Sequence, residues 1–143
     1  MTGSPALTAP RGSRGWLSPL NPPMADWHGR GVWIVGGSSG IGLALAHALH
    51  GAGARVFVSA RGQAGLQEFV DSHPGATALP LDVSDASALR EAAATITKEG
   101  ALDSMVYCAG HYRAQRATDY DLAEMLRHQQ INWTGALHLL DAV

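Results

Sequence analysis

Short apolar runs alternate with amphipathic stretches along the chain from Val32 onward. The runs, bounded by turn residues, have the pattern of buried strands, and the stretches between them carry apolar side chains at helical spacing. This pattern predicts strands at Val32–Val35, Arg55–Ala60, Thr77–Leu81 and Ser104–Ala109. It predicts helices after Gly42, at Gln63–Val70, at Ser87–Glu99 and from near Thr118 towards the end of the chain. Strands and helices that alternate in this way indicate a doubly wound α/β fold with a parallel sheet of about four strands.

Two of the helices are predicted in more detail. In the first, Ile41, Leu45 and Leu49 recur every four residues and predict one buried stripe. In the last, Thr118 and Asp121 resemble a capping box, so we expect that helix to begin near Thr118.

The first 23 residues differ from the rest. They hold five of the seven prolines and no acidic residue, and they lack the apolar stretch of a secretory signal. We expect residues 1–23 to be a disordered leader and residues 24–143 to be one folded domain. Met24 offers a second start of translation, immediately before the folded part.

Composition and charge exclude several classes of function. The net charge of −2 gives no basic surface for nucleic acid or an anionic membrane, and no apolar run reaches the ~18 residues of a membrane span. The single cysteine, Cys108, excludes an internal disulfide and a cysteine-rich metal site. The seven histidines form no H-E-x-x-H pattern and have no carboxylate partner at ligand spacing, so we expect solvated or helix-end histidines and no metal. The cytoplasm is the expected location.

The chemistry is concentrated in the glycine-rich junction between the first strand and the first helix. Gly36, Gly40 and Gly42 form the pattern G-x-x-x-G-x-G. The first glycine permits a tight turn, the second lets the backbone approach a pyrophosphate, and the third lets the helix pack closely. Amides at the positive end of a helix favour an anion. A plain turn is the alternative, and a P-loop is disfavoured because no Gly-Lys-Ser/Thr follows.

The glycine pattern resembles the cofactor motif of the classical short-chain dehydrogenases/reductases, and three further matches follow in the family's order. L-D-V-S-D (Leu81–Asp85) resembles the segment that holds the adenine, Y-C-A-G (Tyr107–Gly110) resembles N-N-A-G, and I-N-W-T-G-A-L (Ile131–Leu137) resembles the segment with the catalytic asparagine. The resemblance covers about residues 29–143 and implies a Rossmann-type dinucleotide-binding fold.

The resemblance also implies roles for individual residues. Asp82 and Val83 would hold the adenine, and Asn132 would be the asparagine of the catalytic tetrad, which supports a water relay. The chain departs from the family at Val35, which replaces a threonine, and at Tyr107 and Cys108, which replace two asparagines. The complete set of predicted cofactor-binding residues is Gly36, Ser38, Ser39, Gly40, Ile41, Gly42, Arg61, Asp82, Val83, Cys108, Ala109 and Gly110.

The end of the second strand indicates which cofactor is bound. An acid about 20 residues after the glycines would accept hydrogen bonds from the ribose of NAD, but the chain reads Ser59-Ala60-Arg61 there. The Arg61 guanidinium suits a 2′-phosphate, to which Ser38 or Ser39 could add a hydroxyl contact. We therefore expect NADP(H) rather than NAD(H). The alternative for Arg61 is a solvated residue at a strand end.

The resemblance implies that the other members of the tetrad are a serine, a tyrosine and a lysine four residues after the tyrosine, and these are missing from the 143 residues. The only lysine is Lys98, with Ala94 four positions before it, so no Y-x-x-x-K is present. Tyr112 and Arg116 have the right spacing, but they precede Asn132 and an arginine cannot replace that lysine. We expect the N-terminal, cofactor-binding half of an oxidoreductase that acts on an unknown carbonyl or alcohol, inactive by itself.

The sequence also leaves two alternative functions open and suggests one candidate partner. A non-catalytic nucleotide-binding or interaction protein that ends at Val143 is the first rival. A Rossmann-type methyltransferase is the second, and the contexts of Asp82 and Asn132 argue against it. The resembled family commonly forms dimers and tetramers, which makes a second copy of the chain a candidate partner.

Overall fold

The computed structural model describes residues 26–143, so the predicted leader lies outside the described residues. Within these residues, four strands and five α-helices follow one another in chain order, with one π-helical turn near the end. The elements are β1 (Gly31–Val35), α1 (Gly40–Gly51), β2 (Arg55–Ser59), α2 (Gln63–Ser72), β3 (Thr77–Ala78), α3 (Ala86–Glu99), β4 (Ser104–Tyr107), α4 (Leu122–Gln129), the π turn (Gln130–Thr134) and α5 (Gly135–Ala142).

The four strands form one parallel sheet in the order β3-β2-β1-β4. Val35, the last residue of β1, pairs with Ser59 on one side and Tyr107 on the other, so three strands end at the same level. The chain reverses its direction of winding between β1 and β4. In open α/β sheets this switch point leaves a crevice at the carboxyl ends of the strands. The predicted fold class is confirmed.

Apolar side chains alternate between the two faces of the sheet, and each face has its own core. Val32 and Ile34 of β1 pack with the residues of α1 and α2, whereas Trp33 and Val35 pack with those of α3 and α5. All four are fully buried. Trp33 also donates its indole N–H to the Ser59 hydroxyl over 2.9 Å, which satisfies both polar groups inside the core.

The third strand is shorter than predicted, since its regular pairing ends at Ala78 and not at Leu81. Leu79 and Leu81 still donate backbone hydrogen bonds to Val58 and Ala60, at 2.9 and 3.1 Å. Pro80 lies between them and has no N–H to donate. The chain therefore follows β2 as expected, without forming a continuous ladder.

The predicted buried stripe of α1 is wrong at its first position. Ile41 is 84% exposed, and the buried residues are Gly42, Ala46 and Leu49. Ile41 lies in the first turn of the helix, which begins at Gly40 beside the crevice, so the core does not cover it. Ile41 instead lies on the side of the helix that faces the crevice.

The last helix begins later than predicted. Thr118 lies in a turn, and Asp121 is the N-cap of α4, accepting a hydrogen bond from the Glu124 N–H at 3.2 Å. The helical path then continues to Ala142 through the π turn at Gln130–Thr134, as the absence of breakers suggested. Within residues 26–143, none of the helices has both the length and the apolar character needed to cross a membrane.

Candidate functional site

A cleft of about 480 Å³ opens at the carboxyl ends of β1, β2 and β4. All the residues predicted to bind a cofactor line it, together with four that were not predicted. The predicted ones are Gly36, Ser38, Ser39, Gly40, Ile41, Gly42, Arg61, Asp82, Val83, Cys108, Ala109 and Gly110, and the additional ones are Ala60, Gly62, Leu81 and Ile131. The structure thus brings the four predicted segments, and also Ile131, to one cleft, while the role of each residue there stays a prediction.

Gly36 and Gly42 are required by close backbone contacts beneath the cleft. Gly36 has a φ of 95°, and a Cβ on it would overlap with the backbone of Cys108 and Ala109. A Cβ on Gly42 would overlap with the Gly36 carbonyl. Any side chain at these positions would push α1 away from the ends of β1 and β4.

The N-terminus of α1 points into the cleft without a protein cap. Ser39 is the N-cap residue, yet its side chain makes no capping hydrogen bond, and no acidic residue lies in the first turn. The first amides of a helix have no acceptor within the helix. Gly40 also has a φ of 56° and no atom within 4 Å of where a Cβ would be. An anion can therefore approach this turn closely.

Asp82 offers a fixed carboxylate in the same cleft. Its Oδ1 accepts hydrogen bonds from the Ser84 hydroxyl at 2.6 Å and the Ser84 N–H at 2.9 Å. These two bonds, and more weakly the positive charge of Arg61, lower the pKa of Asp82 below its usual value. Asp82 is therefore ionised at neutral pH, and its second oxygen remains available to a donor on a ligand.

Arg61 supplies the positive charge of the cleft. It follows the end of β2 and is exposed, and its guanidinium forms no hydrogen bond or ion pair with another described residue. Ser59, two positions earlier, is fully buried and bonded to Trp33, so it cannot replace the missing acid. The end of β2 thus presents a guanidinium that has no ion-pair partner among the described residues, although Asp82 of the same cleft lies close enough for its pKa to respond to that charge.

Tyr107 is a structural residue in this arrangement. It stands where the resembled family has an asparagine, and its hydroxyl donates a hydrogen bond to the Ile131 carbonyl. Partial burial, reinforced by the negative charge of Asp82, raises the pKa of Tyr107 to about 12. A tyrosine held protonated in this way does not exchange protons near neutral pH. Sequence reasoning treated this position only as a departure from the family.

Asn132 lies at the edge of the site and does not line the cleft. Its side chain forms two hydrogen bonds with the backbone of His111: the His111 N–H donates to Oδ1 at 2.7 Å, and the Asn132 Nδ2 donates to the His111 carbonyl at 2.8 Å. Asn132 therefore fixes the chain just after Gly110. Its predicted part in catalysis stays a prediction.

Three ionisable side chains meet beside this junction. The His111 ring contacts the Glu124 carboxylate, and His128 Nε2 lies 3.7 Å from the same carboxylate oxygen. Glu124 is only 8% exposed. Hydrogen bonding to His111 lowers the pKa of Glu124 below its usual value. His128 lies in the last turn of α4 and is thus a helix-end histidine, as expected. The expectation of no carboxylate partner at ligand spacing is wrong here, and the signal it overlooked is the four-residue spacing of Glu124 and His128.

The order of the strands, the glycine turn and the cleft define an α/β protein of Rossmann type. A family model for short chain dehydrogenases matches residues 30–143. The chain belongs to the short-chain dehydrogenase/reductase family, whose members are oxidoreductases.

Several named proteins are similar to this chain. A 3-dehydrosphinganine reductase of Arabidopsis thaliana is 31% identical over 129 residues, which cover 87% of the chain and 38% of the relative. An uncharacterized oxidoreductase of Staphylococcus haemolyticus is 30% identical over 123 residues, which cover 84% of the chain and 53% of the relative.

Solved structures show the same likeness. The NADPH-bound carbonyl reductase from chicken fatty liver superimposes with a TM-score of 0.74 at 27% identity, covering 82% of this chain and 48% of that one. An actinorhodin polyketide ketoreductase with NADPH gives a TM-score of 0.74 at 27% identity, covering 79% and 46%. The chain thus spans about half the length of these structures.

Proposed function

We propose that this chain is the cofactor-binding part of an oxidoreductase that moves hydride between NADP(H) and a carbonyl or alcohol substrate. The observation that carries the proposal is the convergence of all twelve predicted cofactor residues on one cleft, at the switch point of the sheet. The bound nicotinamide would supply or accept the hydride. The NADPH-bound relatives described above support the same class of cofactor.

Different residues of the cleft would bind different parts of the cofactor. The amides at the start of α1 would hold the diphosphate, because they carry partial positive charge and the Ser39 side chain does not cap them. The Asp82 carboxylate would accept a hydrogen bond from the adenine amine. The Gly110 backbone, held by Asn132 through His111, would bound the nicotinamide end of the cleft.

Arg61 would make NADP(H) the preferred form. A guanidinium–phosphate pair is charge-assisted, and such bonds contribute about 1.5–3 kcal/mol, or roughly 10–100-fold in affinity. NAD(H) lacks the 2′-phosphate and gains nothing from Arg61. An acid in this position would reverse the preference, and none is present at Ser59-Ala60-Arg61.

Titration of the purified chain with NADPH and NADH, followed by calorimetry, tests the proposal. We expect saturable binding of both, with NADPH bound more tightly, and Arg61→Ala should remove most of that difference. Arg116→Ala is the matched control, because it removes the same charge from an exposed loop outside the cleft. A folded chain that binds neither cofactor would contradict the proposal, and an unchanged affinity ratio in Arg61→Ala would contradict the assignment of NADP(H).

The proposal includes that the 143 residues do not turn over substrate by themselves. The three tyrosines do not suit the catalytic role, since Tyr107 is held protonated and Tyr112 and Tyr120 lie outside the cleft. When NADPH and a panel of ketones are added to the chain, the rate of NADPH oxidation should not exceed the background rate. A longer chain that also contains a segment with the serine and Y-x-x-x-K should oxidise NADPH in the presence of a suitable ketone.

We further propose that a second copy of the chain is a partner and that the protein works in the cytoplasm. Along α4, the π turn and α5, the exposed apolar side chains include Leu122, Leu126, Trp133, Leu137 and Leu140. In residues 26–143, β4 also has no strand on its outer side. Sedimentation of the chain over a range of concentrations tests self-association, and cell fractionation tests the location.

A further inference from the structure

His111, Glu124 and His128 form a compact group of metal-ligating side chains outside the cleft. Their donor atoms all lie within 4.8 Å of one another. Glu124 and His128 lie four residues apart on α4, and His111 reaches them from the loop that follows β4. Two imidazoles and one carboxylate are a donor set that suits divalent transition metals such as Zn²⁺ and Co²⁺, with open positions left for water.

The backbone around these three residues is held in place. Asn132 fixes the His111 backbone from both sides, and the Asp121 N-cap fixes the first turn of α4, where Glu124 lies. The Glu124 side chain is nine-tenths buried and His128 is mostly buried. A site whose ligands are already ordered loses little conformational entropy when a ligand binds.

Binding an ion would replace two hydrogen bonds. His111 Nε2 contacts the Glu124 carboxylate, and the Arg113 N–H donates to His128 Nε2 at 2.8 Å. A metal at ~2.0–2.2 Å from its ligands would take both nitrogen lone pairs and displace the proton from His111 Nε2. The exposed loop that carries Arg113 would have to move by a small amount. Arg113 Nη1, 3.9 Å from the carboxylate, opposes the charge of the ion and limits affinity.

We propose that His111, Glu124 and His128 bind one divalent transition-metal ion of the Zn²⁺ class. The ion ties the loop after Gly110 to α4 and thereby stabilises one edge of the cleft. The proposal departs from the expectation of no metal drawn from the sequence. It does not depend on the function proposed above, because the ion binds whether or not the cleft holds a cofactor.

Calorimetric titration of the tag-free, chelator-treated chain with ZnCl₂ tests this inference. We expect one ion per chain, with affinity lowered roughly tenfold or more in His128→Ala and in Glu124→Gln. Glu124→Gln keeps the size of the side chain and removes its charge, so it serves if His128→Ala fails to fold. Titration with Co²⁺ should give an absorption spectrum without a sulfur-to-cobalt band, because Cys108 is not a ligand.

The matched control is the other histidine group of the structure. His47 Nδ1 and His73 Nε2 lie 2.9 Å apart in an exposed position between α1 and α2. The double variant His47→Ala/His73→Ala should bind Zn²⁺ like the original chain. Absence of stoichiometric binding in the original chain, or loss of binding only in the control variant, would overturn the proposal.

Discussion

The Tyr107 hydroxyl donates a hydrogen bond to the Ile131 carbonyl, and this bond connects the end of β4 to the π turn. In a π turn the backbone leaves the regular α-helical ladder, so a carbonyl there can accept a bond from outside the helix. Gly135, at the start of α5, lies so close to the same hydroxyl that a Cβ would overlap with it. The Tyr107 hydroxyl therefore fits at this position only because residue 135 has no side chain.

Gly135→Ala should destabilise the chain by about 1–3 kcal/mol, because the new methyl meets Tyr107 and the Val83 side chain. Tyr107→Phe alone should cost about 0.5–1.5 kcal/mol through the lost hydrogen bond. The double variant should lose less than the sum, since the hydroxyl that overlaps is gone. Urea unfolding of the four proteins measures the coupling.

Gly51→Ala serves as the control for Gly135→Ala in this comparison. Gly51 ends α1 and has no atom within 4 Å of where a Cβ would be. Alanine there should be neutral or stabilising, since glycine is the poorer helix former by about 1 kcal/mol. Additive losses of Gly135→Ala and Tyr107→Phe, within about 0.5 kcal/mol, would show that the two residues do not compete for the same space.

Gly40→Ala should separate cofactor binding from stability. Gly40 has a φ of 56°, so alanine there costs about 1–2 kcal/mol of strain, and its methyl would also stand where the diphosphate approaches the amides of α1. We expect a small loss of stability and a loss of NADPH affinity of at least roughly tenfold.

Gly75→Ala is the matched variant for Gly40. Gly75 has a φ of 85°, no atom within 4 Å of where a Cβ would be, and a position in the turn before β3, at the opposite end of the sheet from the cleft. It should cost a similar strain and leave NADPH affinity unchanged. Equal effects of the two variants on binding would mean that the backbone at Gly40 does not approach the cofactor.

Lowering the pH should destabilise the start of α3, because its N-cap residue Asp85 becomes protonated. Hydrogen bonds from the Ser87 hydroxyl, and then from the Ala88 and Ser87 amides, lower the pKa of Asp85 in the folded chain below its usual value. The folded pKa is thus below the unfolded one. The stabilisation is fully present above the unfolded pKa of about 4 and is lost as the pH falls through the folded pKa.

Asp85→Asn tests this dependence, since asparagine also caps helices but does not titrate in this range. Denaturation midpoints at pH 7, 5 and 3.5 should show a smaller acid-induced drop in Asp85→Asn than in the original chain. An identical drop in both proteins would indicate that Asp85 does not contribute to the acid sensitivity.

Local patterns predicted most of the fold. Buried strands such as Val32–Val35 form continuous apolar runs, and the strand–glycine–helix order of Gly36, Gly40 and Gly42 has few alternative structures. The errors arose where a position depends on its neighbours in space. Ile41 has the spacing of a core residue, but it lies at the mouth of the cleft and is exposed. Thr118 has the form of a cap, but Asp121 takes that position.

The candidate site was predicted segment by segment, and the contacts between segments were not. Tyr107 and Ile131 are 24 residues apart, and no periodicity connects them. Glu124 and His128 share a helix face, which the sequence could have shown. Their contact with His111 depends on how the loop after β4 folds over α4, and that path is set by the Asn132 hydrogen bonds.

The most direct measurement is a titration of the ¹⁵N-labelled chain with NADPH, observed through its backbone amide resonances. The account predicts saturable shifts that are largest for the amides between Gly36 and Gly42, with further shifts at Asp82, Val83 and Gly110. A well-dispersed spectrum that does not change with NADPH, or that changes only along α4 and α5, would contradict it.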